Sequence, residues 1–255
     1  MAIATTPSGT PIHIRAFGGF EIEVDGAKLR FGRFPPRKPL ALLESLVAIP
    51  GHTLSAHAAC EALWPEADGF DAYRALITTV YRLRRLLRHR DAVQFCGKAI
   101  SLNDSLVWVD VWKFESDVRD TQPSPRLAAA LELYRGPFMR DIEHPHAFEA
   151  RDRLQRRYER VVRIVAQWLQ SSGDAASAVA LYERAIELGA TSEDLYREHM
   201  QCLIRAGQMS AAADVFQRCR SVLSRRFGVS PSAATVLAFR SICQPMSDQR
   251  VTAGS

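Results

Sequence analysis

The stretch FDAYRALITTVYRLRRLLRHR, from Phe70 to Arg90, decides how the rest of the sequence is interpreted. Its apolar residues recur three or four positions apart, which is the spacing of one face of an α-helix. The stripe consists of Ala72, Leu76, Val80, Leu83 and Leu87. The spacing therefore predicts an amphipathic helix over residues 70–90 that buries this stripe against a core.

The opposite face of the predicted helix is cationic and rich in hydrogen-bond donors. Its residues are Arg74, Thr78, Tyr81, Arg82 and Arg85. From Ala72 to Lys98 there are seven Lys or Arg residues and one Asp, a net charge of +6, whereas the whole chain carries only +5. Such a face suits the DNA major groove, where Arg can pair with guanine edges or phosphate oxygens. From this stretch alone, a solvated basic helix is the alternative.

Composition places the chain among ordinary globular proteins. It has 255 residues, of which 47% are hydrophobic and 24% charged, enough for one or two domains with a proper core. The sequence pI of about 9.1 favours a polyanionic partner. No apolar run approaches the length of a membrane span, and the N-terminus lacks the pattern of a secretory signal. Five scattered cysteines without a CxxC pair are typical of a reduced, cytosolic protein.

The segments before the basic helix predict a small sheet followed by two helices. Apolar and polar residues alternate over residues 12–34, and Asp25-Gly26 is a hairpin turn signal, which together indicate an antiparallel sheet. Pro39 suits the first turn of the next helix, where its missing N–H costs nothing. A second helix follows, with Thr53 or Ser55 as its cap.

The segments after the basic helix predict a β-hairpin. The pattern of residues 93–96 and 99–102 predicts two short strands joined by the two-residue turn Gly97-Lys98. Residues 107–111 are then expected to lead out of the domain. Helix, helix, basic helix and hairpin is the order of a winged helix, in which the third helix enters the groove and the hairpin contacts the neighbouring backbone. We assign this domain to residues 12–112.

Residues 113–245 are helical in pattern throughout and contain a 34-residue repeat. Leu169, Gly173, Ala178 and Tyr182 recur as Leu203, Gly207, Ala212 and Phe216. Small and aromatic residues at fixed offsets with this period are the signature of tetratricopeptide-like helix pairs. The predicted fold class is therefore mainly α with a small β component: a winged helix-turn-helix domain followed by an all-α tetratricopeptide-like domain.

Several short motifs resemble a known family. In the first domain they are PRKPLALL (36–43), ALWP (62–65), AYRAL (72–76) and YRLRRLL (81–87). In the second domain they are YRGPF (134–138), FEAR (148–151) and FGVSP (227–231). In this order they resemble the SARP transcriptional regulators, which join an OmpR-like winged helix to a bacterial transcriptional activator domain. One departure is Phe148, where family members usually carry Trp.

The resemblance implies a sequence-specific DNA-binding transcriptional regulator, for which we expect no cofactor. It further implies an activator that binds direct repeats near promoters and contacts RNA polymerase. Because a single helix in one groove offers few base contacts, we expect two copies of the chain to bind side by side. Such a protein would be cytoplasmic and nucleoid-associated, without a membrane partner. Neither a receiver domain before residue 12 nor an ATPase module after residue 245 is recognisable, so we expect a short, stand-alone member.

The winged-helix interpretation assigns roles to individual residues. Contacts with bases or phosphates are expected from Arg74, Thr78, Tyr81, Arg82 and Arg85. Anchors on the DNA backbone are expected at Arg33, Arg37 and Lys38 around the start of the first helix, and at Lys98 on the hairpin. Phosphate contacts position the protein, whereas base contacts specify the site. For Lys98 the alternative is an ordinary exposed turn lysine.

A second group of arginines lies on a long helix predicted over residues 148–169. Its members are Arg151, Arg153, Arg156, Arg157, Arg160 and Arg163. They could form a solvated face or could bind an anionic partner: an acidic protein, the DNA backbone or a nucleotide-type effector. The alternative function is therefore a signalling adaptor whose helical-repeat groove binds a protein or an anionic effector.

Sequence motifs of enzymes are absent. The chain contains no GxGxxG, GxxxxGK[ST], HExxH or GxSxG. His144-Pro145-His146 is a histidine pair without a nearby cysteine or third histidine, which favours a loop over a metal site. We therefore expect neither catalysis nor a bound metal.

Overall fold

The computed structural model describes residues 9–143 and 145–243, which divide into two compact units. The first unit comprises the residues up to 120 together with 129–155, and the second comprises 121–128 together with the residues from 156 onward. The domain limits inferred from the sequence, 12–112 and 113–245, remain predictions. Residues 244 and 245, and His144 of the histidine pair, lie outside the described residues. Pro145 and His146 begin a long helix, so the prediction of a loop is wrong for these two residues.

The predicted fold class is confirmed: the chain is mainly α with a small β component. The strands are β1 (Ile12–Arg15), β2 (Glu21–Val24), β3 (Ala27–Lys28), β4 (Thr53–Ser55), β5 (Val93–Cys96), β6 (Ala99–Leu102) and β7 (Val107–Val109). The helices of the first part of the chain are α1 (Arg37–Ala48), α2 (Ala56–Leu63), α3 (Gly69–Leu86) and α4 (Asp110–Asp117). Those that follow are α5 (Pro125–Leu131), α6 (Pro145–Ser171), α7 (Ala175–Glu187), α8 (Glu193–Arg205), α9 (Met209–Phe227) and α10 (Ala233–Cys243).

The N-terminal sheet has the strand order β3-β2-β1-β7. Strands β1 and β2 are antiparallel, with Ile12 opposite Val24, and both side chains are fully buried. Asp25 and Gly26 take φ angles of 50° and 77°, so the predicted hairpin turn is confirmed. The alternating residues therefore form the half-buried strands that the pattern indicates.

The same sheet differs from the prediction at two places. Strand β3 ends at Lys28, so residues 29–34 continue outside the sheet. Val107–Val109, predicted to run out of the domain, instead pairs in parallel with β1 as the edge strand β7. This pairing joins segments that are far apart along the chain, and a local pattern of alternation cannot specify it.

The hairpin predicted after the basic helix is present and forms part of a second sheet, in the order β4-β6-β5. Cys96 lies opposite Ala99 across the two-residue turn, and Gly97 takes a positive φ of 61°. The third strand, β4, was not predicted because three residues are too few to show an alternating pattern. Its last residue, Ser55, caps α2 by accepting a hydrogen bond from the Ala58 amide at 3.0 Å.

Helices α1, α2 and α3 pack together beside this second sheet. Leu42 and Leu46 of α1 and Leu76 and Leu83 of α3 are fully buried, as the apolar spacing predicts. The prediction that the basic helix extends to residue 90 is wrong: α3 ends at Leu86. The backbone leaves the helical conformation at Arg88, whose φ is 57°.

A buried carboxylate joins the N-terminal sheet to α4. Asp110 accepts hydrogen bonds from the backbone amides of Ala16 at 2.8 Å, Phe17 at 3.2 Å and Val111 at 2.8 Å. Arg135 lies 3.7 Å from the same carboxylate. Burial raises the pKa of Asp110 to about 6, so the group is mostly ionised at neutral pH.

The YRGPF motif packs against the residues that follow β1 in the first unit. The Phe17 ring lies 4.8 Å from the Tyr134 ring, and Phe17 forms an antiparallel backbone bridge with Phe138. A Cβ at Gly18 would stand 2.8 Å from the Arg135 carbonyl oxygen, too close for any other residue without movement of the backbone. The motif that carries part of the family resemblance therefore has a structural role here.

The 34-residue repeat corresponds to the helical pairs α6–α7 and α8–α9, whose residues from 156 onward belong to the second unit. After the first helix of each pair, Gly173 and Gly207 take φ angles of 83° and 75°. The residue after each glycine donates a 2.9 Å backbone hydrogen bond to the carbonyl of Leu169 or Leu203. Two turns of the same geometry, 34 residues apart, agree with the predicted repeat.

His199, in α8, is expected to make the stability of this unit depend on pH. Its side chain is buried, and desolvation lowers its pKa to about 4, below the usual 6.5. Because the lowered pKa favours the neutral form of His199 in the folded state, its contribution to the free energy of unfolding depends on pH. This contribution is fully present above pH 6.5 and is lost as the pH falls towards 4. We expect His199→Val to remove roughly 2–3 kcal/mol of the loss in unfolding free energy between pH 7 and 4.5.

Urea titrations at both pH values, followed by circular dichroism, measure this difference. The difference in pH dependence between the wild type and His199→Val is expected to come from His199, since the two proteins share every other titrating group. Parallel pH profiles for the wild type and His199→Val would contradict the assignment of a low pKa to this histidine.

Candidate nucleic-acid interface

Helix α3 is held at its start by a side-chain cap. Asp68 accepts hydrogen bonds from the backbone amides of Phe70 at 2.9 Å and Asp71 at 3.0 Å. The buried face of the helix carries Ala72, Leu76, Thr79, Val80 and Leu83. This anchoring leaves the opposite face of α3 in contact with solvent.

The five candidate reading residues all lie on that exposed face. They are Arg74, Thr78, Tyr81, Arg82 and Arg85. The Thr78 hydroxyl donates to the Arg74 carbonyl at 3.1 Å, so its oxygen is free to act as an acceptor towards a ligand. Tyr81 is 59% exposed, a large fraction for an aromatic residue in a helix. The face thus offers guanidinium donors, hydroxyls and one aromatic ring to a partner.

Three apolar or aromatic residues on the same face were not predicted as site residues. Phe70 is 71% exposed and Ile77 is 48% exposed, and the Arg74 guanidinium lies 5.7 Å from the centre of the Phe70 ring. Tyr73 is 40% exposed and its ring lies 6.2 Å from that of Phe95 in β5. The pattern of charged residues could not reveal them, because apolar residues in a helix are ordinarily assigned to the core.

An open depression of about 520 Å³ lies at the C-terminal end of α3. It is lined by Tyr81, Arg84, Arg85, Arg88 and Arg90. The Arg84 Nε donates to the Val93 carbonyl at 2.9 Å, which fixes this side chain against β5. Arg88 and Arg90 are exposed and extend the cationic surface beyond the end of the helix.

The candidate backbone anchors around the start of α1 differ in whether their side chains contribute to packing within the chain. Arg33 and Arg37 are exposed. Lys38 donates a hydrogen bond to the Leu63 carbonyl at the end of α2, and its ammonium lies 5.3 Å from the Trp64 ring centre. Lys38 therefore already contributes to packing between α1 and α2, whereas the two arginines are available to a ligand.

Lys98 lies at the tip of the hairpin and is exposed. Its backbone carbonyl accepts a 2.7 Å hydrogen bond from the Ala56 amide, at the first residue of α2. This bond fixes the tip of the hairpin relative to the helices, while the Lys98 side chain remains exposed to solvent.

The arginines predicted as an effector or partner site are divided between internal contacts and solvent. Arg151 donates to the carbonyls of Phe138, Met139 and Ile142 at 2.7–3.0 Å, and Arg153 lies 3.4 Å from Glu115. Arg163 pairs with Glu198 and lies 3.4 Å from Asp194. The hydrogen bond with Glu198 raises the pKa of Arg163. These three guanidinium groups are occupied, which weakens the case for a single anionic site on the long helix.

The other three arginines of the predicted effector or partner site differ in their exposure. Arg156 and Arg160 are exposed, and Arg157 is half-buried and has an interaction within the chain. Within residues 9–143 and 145–243, no group of three or more His, Cys, Asp or Glu side chains could hold a metal ion. Over the same part of the chain, no helix combines the length and the apolar character needed to cross a membrane.

The fold combines a winged helix with a helical-repeat unit, and a family match gives the class of protein. Residues 109–242 match the family described as the bacterial transcriptional activator domain. The chain belongs to this family, and it is a SARP-family regulator, as the sequence motifs predicted.

Two curated relatives match nearly the whole chain. Both are named transcriptional regulatory protein MoaR1, one from Mycobacterium tuberculosis (strain ATCC 25618 / H37Rv) and one from Mycobacterium bovis (strain BCG / Pasteur 1173P2). Each is 25% identical over 273 aligned positions, which cover 98% of this chain and 86% of the relative.

A solved structure has the same fold. It is described as Mycobacterium tuberculosis EmbR in complex with low affinity phosphopeptide, and it superposes with a TM-score of 0.67 at 20% identity. The match covers 92% of this chain but only 66% of the EmbR chain, slightly less than two thirds of its length. At this identity the likeness shows the fold alone.

Proposed function

We propose that this protein is a sequence-specific DNA-binding regulator that inserts α3 into the major groove. The observation that carries the proposal is the exposed face of α3, where three arginines accompany hydroxyl groups and one accessible isoleucine. The recognition helix of a winged helix presents such a face to base edges. The net charge of +5 favours approach to a polyanion.

The side chains of this face match the chemistry of the groove. Arg74 and Arg82 can each form two parallel hydrogen bonds with guanine O6 and N7, and Thr78 can accept from an amino group of adenine or cytosine. Ile77, 48% exposed, suits contact with a thymine methyl group. We assign the remaining cations, Arg85 and the exposed Arg88, to phosphate oxygens.

The finer features of the function rest on family resemblance and on the size of the reading surface. One helix in one groove offers few base contacts, so we propose that two copies of the chain bind neighbouring repeats. We further propose that the protein acts as an activator near promoters and that the helical-repeat unit contacts RNA polymerase. The nucleoid is then its place of action.

An adaptor that binds an anionic effector is the weaker candidate. Arg156 and Arg160 are exposed and support it, whereas Arg151, Arg153 and Arg163 are occupied by contacts within the chain. The two candidates differ in their response to DNA. An adaptor has no sequence preference on DNA at any salt concentration.

Selection of genomic fragments by the purified full-length protein at about 150 mM salt tests the proposal, because weak non-specific phosphate contacts are largely suppressed there. We expect enrichment of a short motif, repeated at about one helical turn of DNA. Recovery of unrelated fragments in proportion to their abundance would contradict sequence-specific reading.

Lys98→Ala is expected to weaken binding to every DNA site by a similar factor. The reason is that a lysine at the hairpin tip contacts phosphate, which carries no sequence information. In a plot of log affinity against log salt concentration, the slope should become less steep by about 0.9, because one phosphate contact has been removed. Affinities measured by fluorescence anisotropy on the selected site and on a scrambled site, each at several salt concentrations, provide the test.

The exposed Arg220 in α9 supplies the matched control, since Arg220→Ala removes the same charge from the other unit. It should leave the salt slope unchanged. A loss of affinity in Lys98→Ala that is confined to one sequence would show that Lys98 reads a base rather than the backbone.

A further inference from the structure

Four large apolar or aromatic side chains of α3 are exposed, although an amphipathic helix ordinarily buries such residues. They are Phe70 (71% exposed), Tyr73 (40%), Ile77 (48%) and Tyr81 (59%). Their spacing of three, four and four positions places them in one line along the helix, and we call this line the apolar strip. Contiguous exposed apolar surface is unfavourable in water and is typical of a binding site.

The apolar strip lies beside a second line of residues that form hydrogen bonds. The members of this second line are Arg74, Thr78, Arg82 and Arg85. The two lines meet at the start of the helix, where the Arg74 guanidinium lies 5.7 Å from the centre of the Phe70 ring. Away from the second line, the strip borders the hairpin, since the Tyr73 ring lies 6.2 Å from the Phe95 ring in β5. One exposed helix face therefore carries apolar groups and cationic donors side by side.

A ligand that fits both lines presents methyl groups next to hydrogen-bond acceptors and negative charge. Among the described residues, no carboxylate pairs with Arg74, Arg82 or Arg85, so their charges are available to such a ligand. The major groove of DNA meets this description, because it displays the C5-methyl of thymine together with guanine O6 and N7. Residues near the N-terminus of a recognition helix contact base edges, and Phe70 and Tyr73 lie in the first turns of α3.

We propose that the apolar strip recognises thymine methyl groups and that Phe70, Tyr73 and Ile77 together determine specificity for a site with several thymines beside its guanines. This inference rests on the proposed function, since it requires α3 to lie in the major groove. Burial of one methyl group against an apolar side chain strengthens binding by about fourfold. Two or more methyl groups recognised in this way therefore contribute at least about tenfold to the affinity for the site.

Parallel selections by the full-length protein from two random-sequence DNA pools, one made with thymine and one with uracil, test the proposal. Uracil keeps every hydrogen-bonding group of thymine and lacks only the C5-methyl. We expect a motif that contains thymines from the first pool, and at least about tenfold weaker binding when uracil replaces these thymines. The same motif from both pools, or a motif without thymine, would overturn the proposal and leave the proposed function intact. No motif from either pool would overturn the proposed function and this inference with it.

A pair of double variants separates direct contact with the methyl groups from an effect of uracil on the DNA itself. In Phe70→Ala/Ile77→Ala, the ratio of affinities for the thymine and uracil forms of the site should fall at least about threefold, because the apolar partners of the methyl groups are missing. Phe227→Ala/Val229→Ala is the matched control, since it removes two exposed apolar side chains from the second unit, and it should keep the wild-type ratio. An unchanged ratio in Phe70→Ala/Ile77→Ala would overturn the proposal.

Discussion

Replacing both Arg74 and Arg82 by alanine is expected to weaken binding to the selected DNA site at least thirtyfold. Each guanidinium that pairs with a guanine contributes about 1–3 kcal/mol of discrimination, so the double change removes about 2–6 kcal/mol. The enriched motif should also lose information at the positions these arginines read. Fragment selection with the variant, together with anisotropy on the wild-type site, measures both effects.

The matched control is Arg220→Ala combined with Arg226→Ala, which removes two exposed arginines from α9. This control should retain the wild-type motif and nearly all of the affinity. Thermal unfolding should be unchanged in both double variants, since all four side chains are exposed. An unchanged motif in Arg74→Ala/Arg82→Ala would remove the assignment of this helix face to base reading.

Asp110→Ala is expected to lower the unfolding free energy of the first unit by about 3–5 kcal/mol. The carboxylate accepts hydrogen bonds from three backbone amides at 2.8–3.2 Å, and its residue is only 2% exposed. Removing the acceptor leaves buried N–H groups without partners and Arg135 without its nearby charge, which is among the costliest kinds of substitution. A urea titration followed by tryptophan fluorescence suits the measurement, because Trp64, Trp108 and Trp112 lie in this unit.

Asp141→Ala is the control for this prediction. Asp141 is also acidic and belongs to the first unit, but its side chain is 75% exposed and pairs only loosely, at 3.4 Å, with the neighbouring Arg140. Its removal should change the unfolding free energy by no more than about 0.5 kcal/mol. A similarly small loss in Asp110→Ala would mean that the buried carboxylate does not hold the sheet to α4.

The sequence predicts the central helix well because both of its faces repeat with the helical period. Leu76 and Leu83 are buried and Tyr81 and Arg82 are exposed, as their spacing indicates. The end of the helix was placed four residues too late, because apolar and basic residues continue past Leu86 without a glycine or proline to mark a stop. The stop is made by Arg88 in a left-handed conformation, which residue type alone does not reveal.

The β elements show a different limit. Hairpins closed by Asp25-Gly26 and Gly97-Lys98 were predicted because their turn residues are local signals. Strand β7 was missed because its pairing with β1 depends on contacts between distant segments. Strand β4 was missed because Thr53–Ser55 is too short for any periodic pattern.

The candidate sites show that a sequence pattern predicts exposure better than it predicts partners. The regular spacing of arginines on α6 does not reveal that Arg163 pairs with Glu198 or that Arg151 donates to three carbonyls. The opposite error occurred on α3, where Phe70 and Ile77 were not considered because they are apolar. Their exposure becomes evident only when the three-dimensional packing of α1, α2 and α3 is known.

The central claim is that the exposed face of α3 reads base edges in the major groove, and methylation protection with dimethyl sulfate tests it most directly. The reagent attacks guanine N7, the atom that we expect Arg74 and Arg82 to bind. The predicted result is protection of guanines in the selected site by the wild type, with loss of protection at specific guanines in Arg74→Ala and in Arg82→Ala. Full reactivity of every guanine N7 in a saturated wild-type complex would contradict the claim.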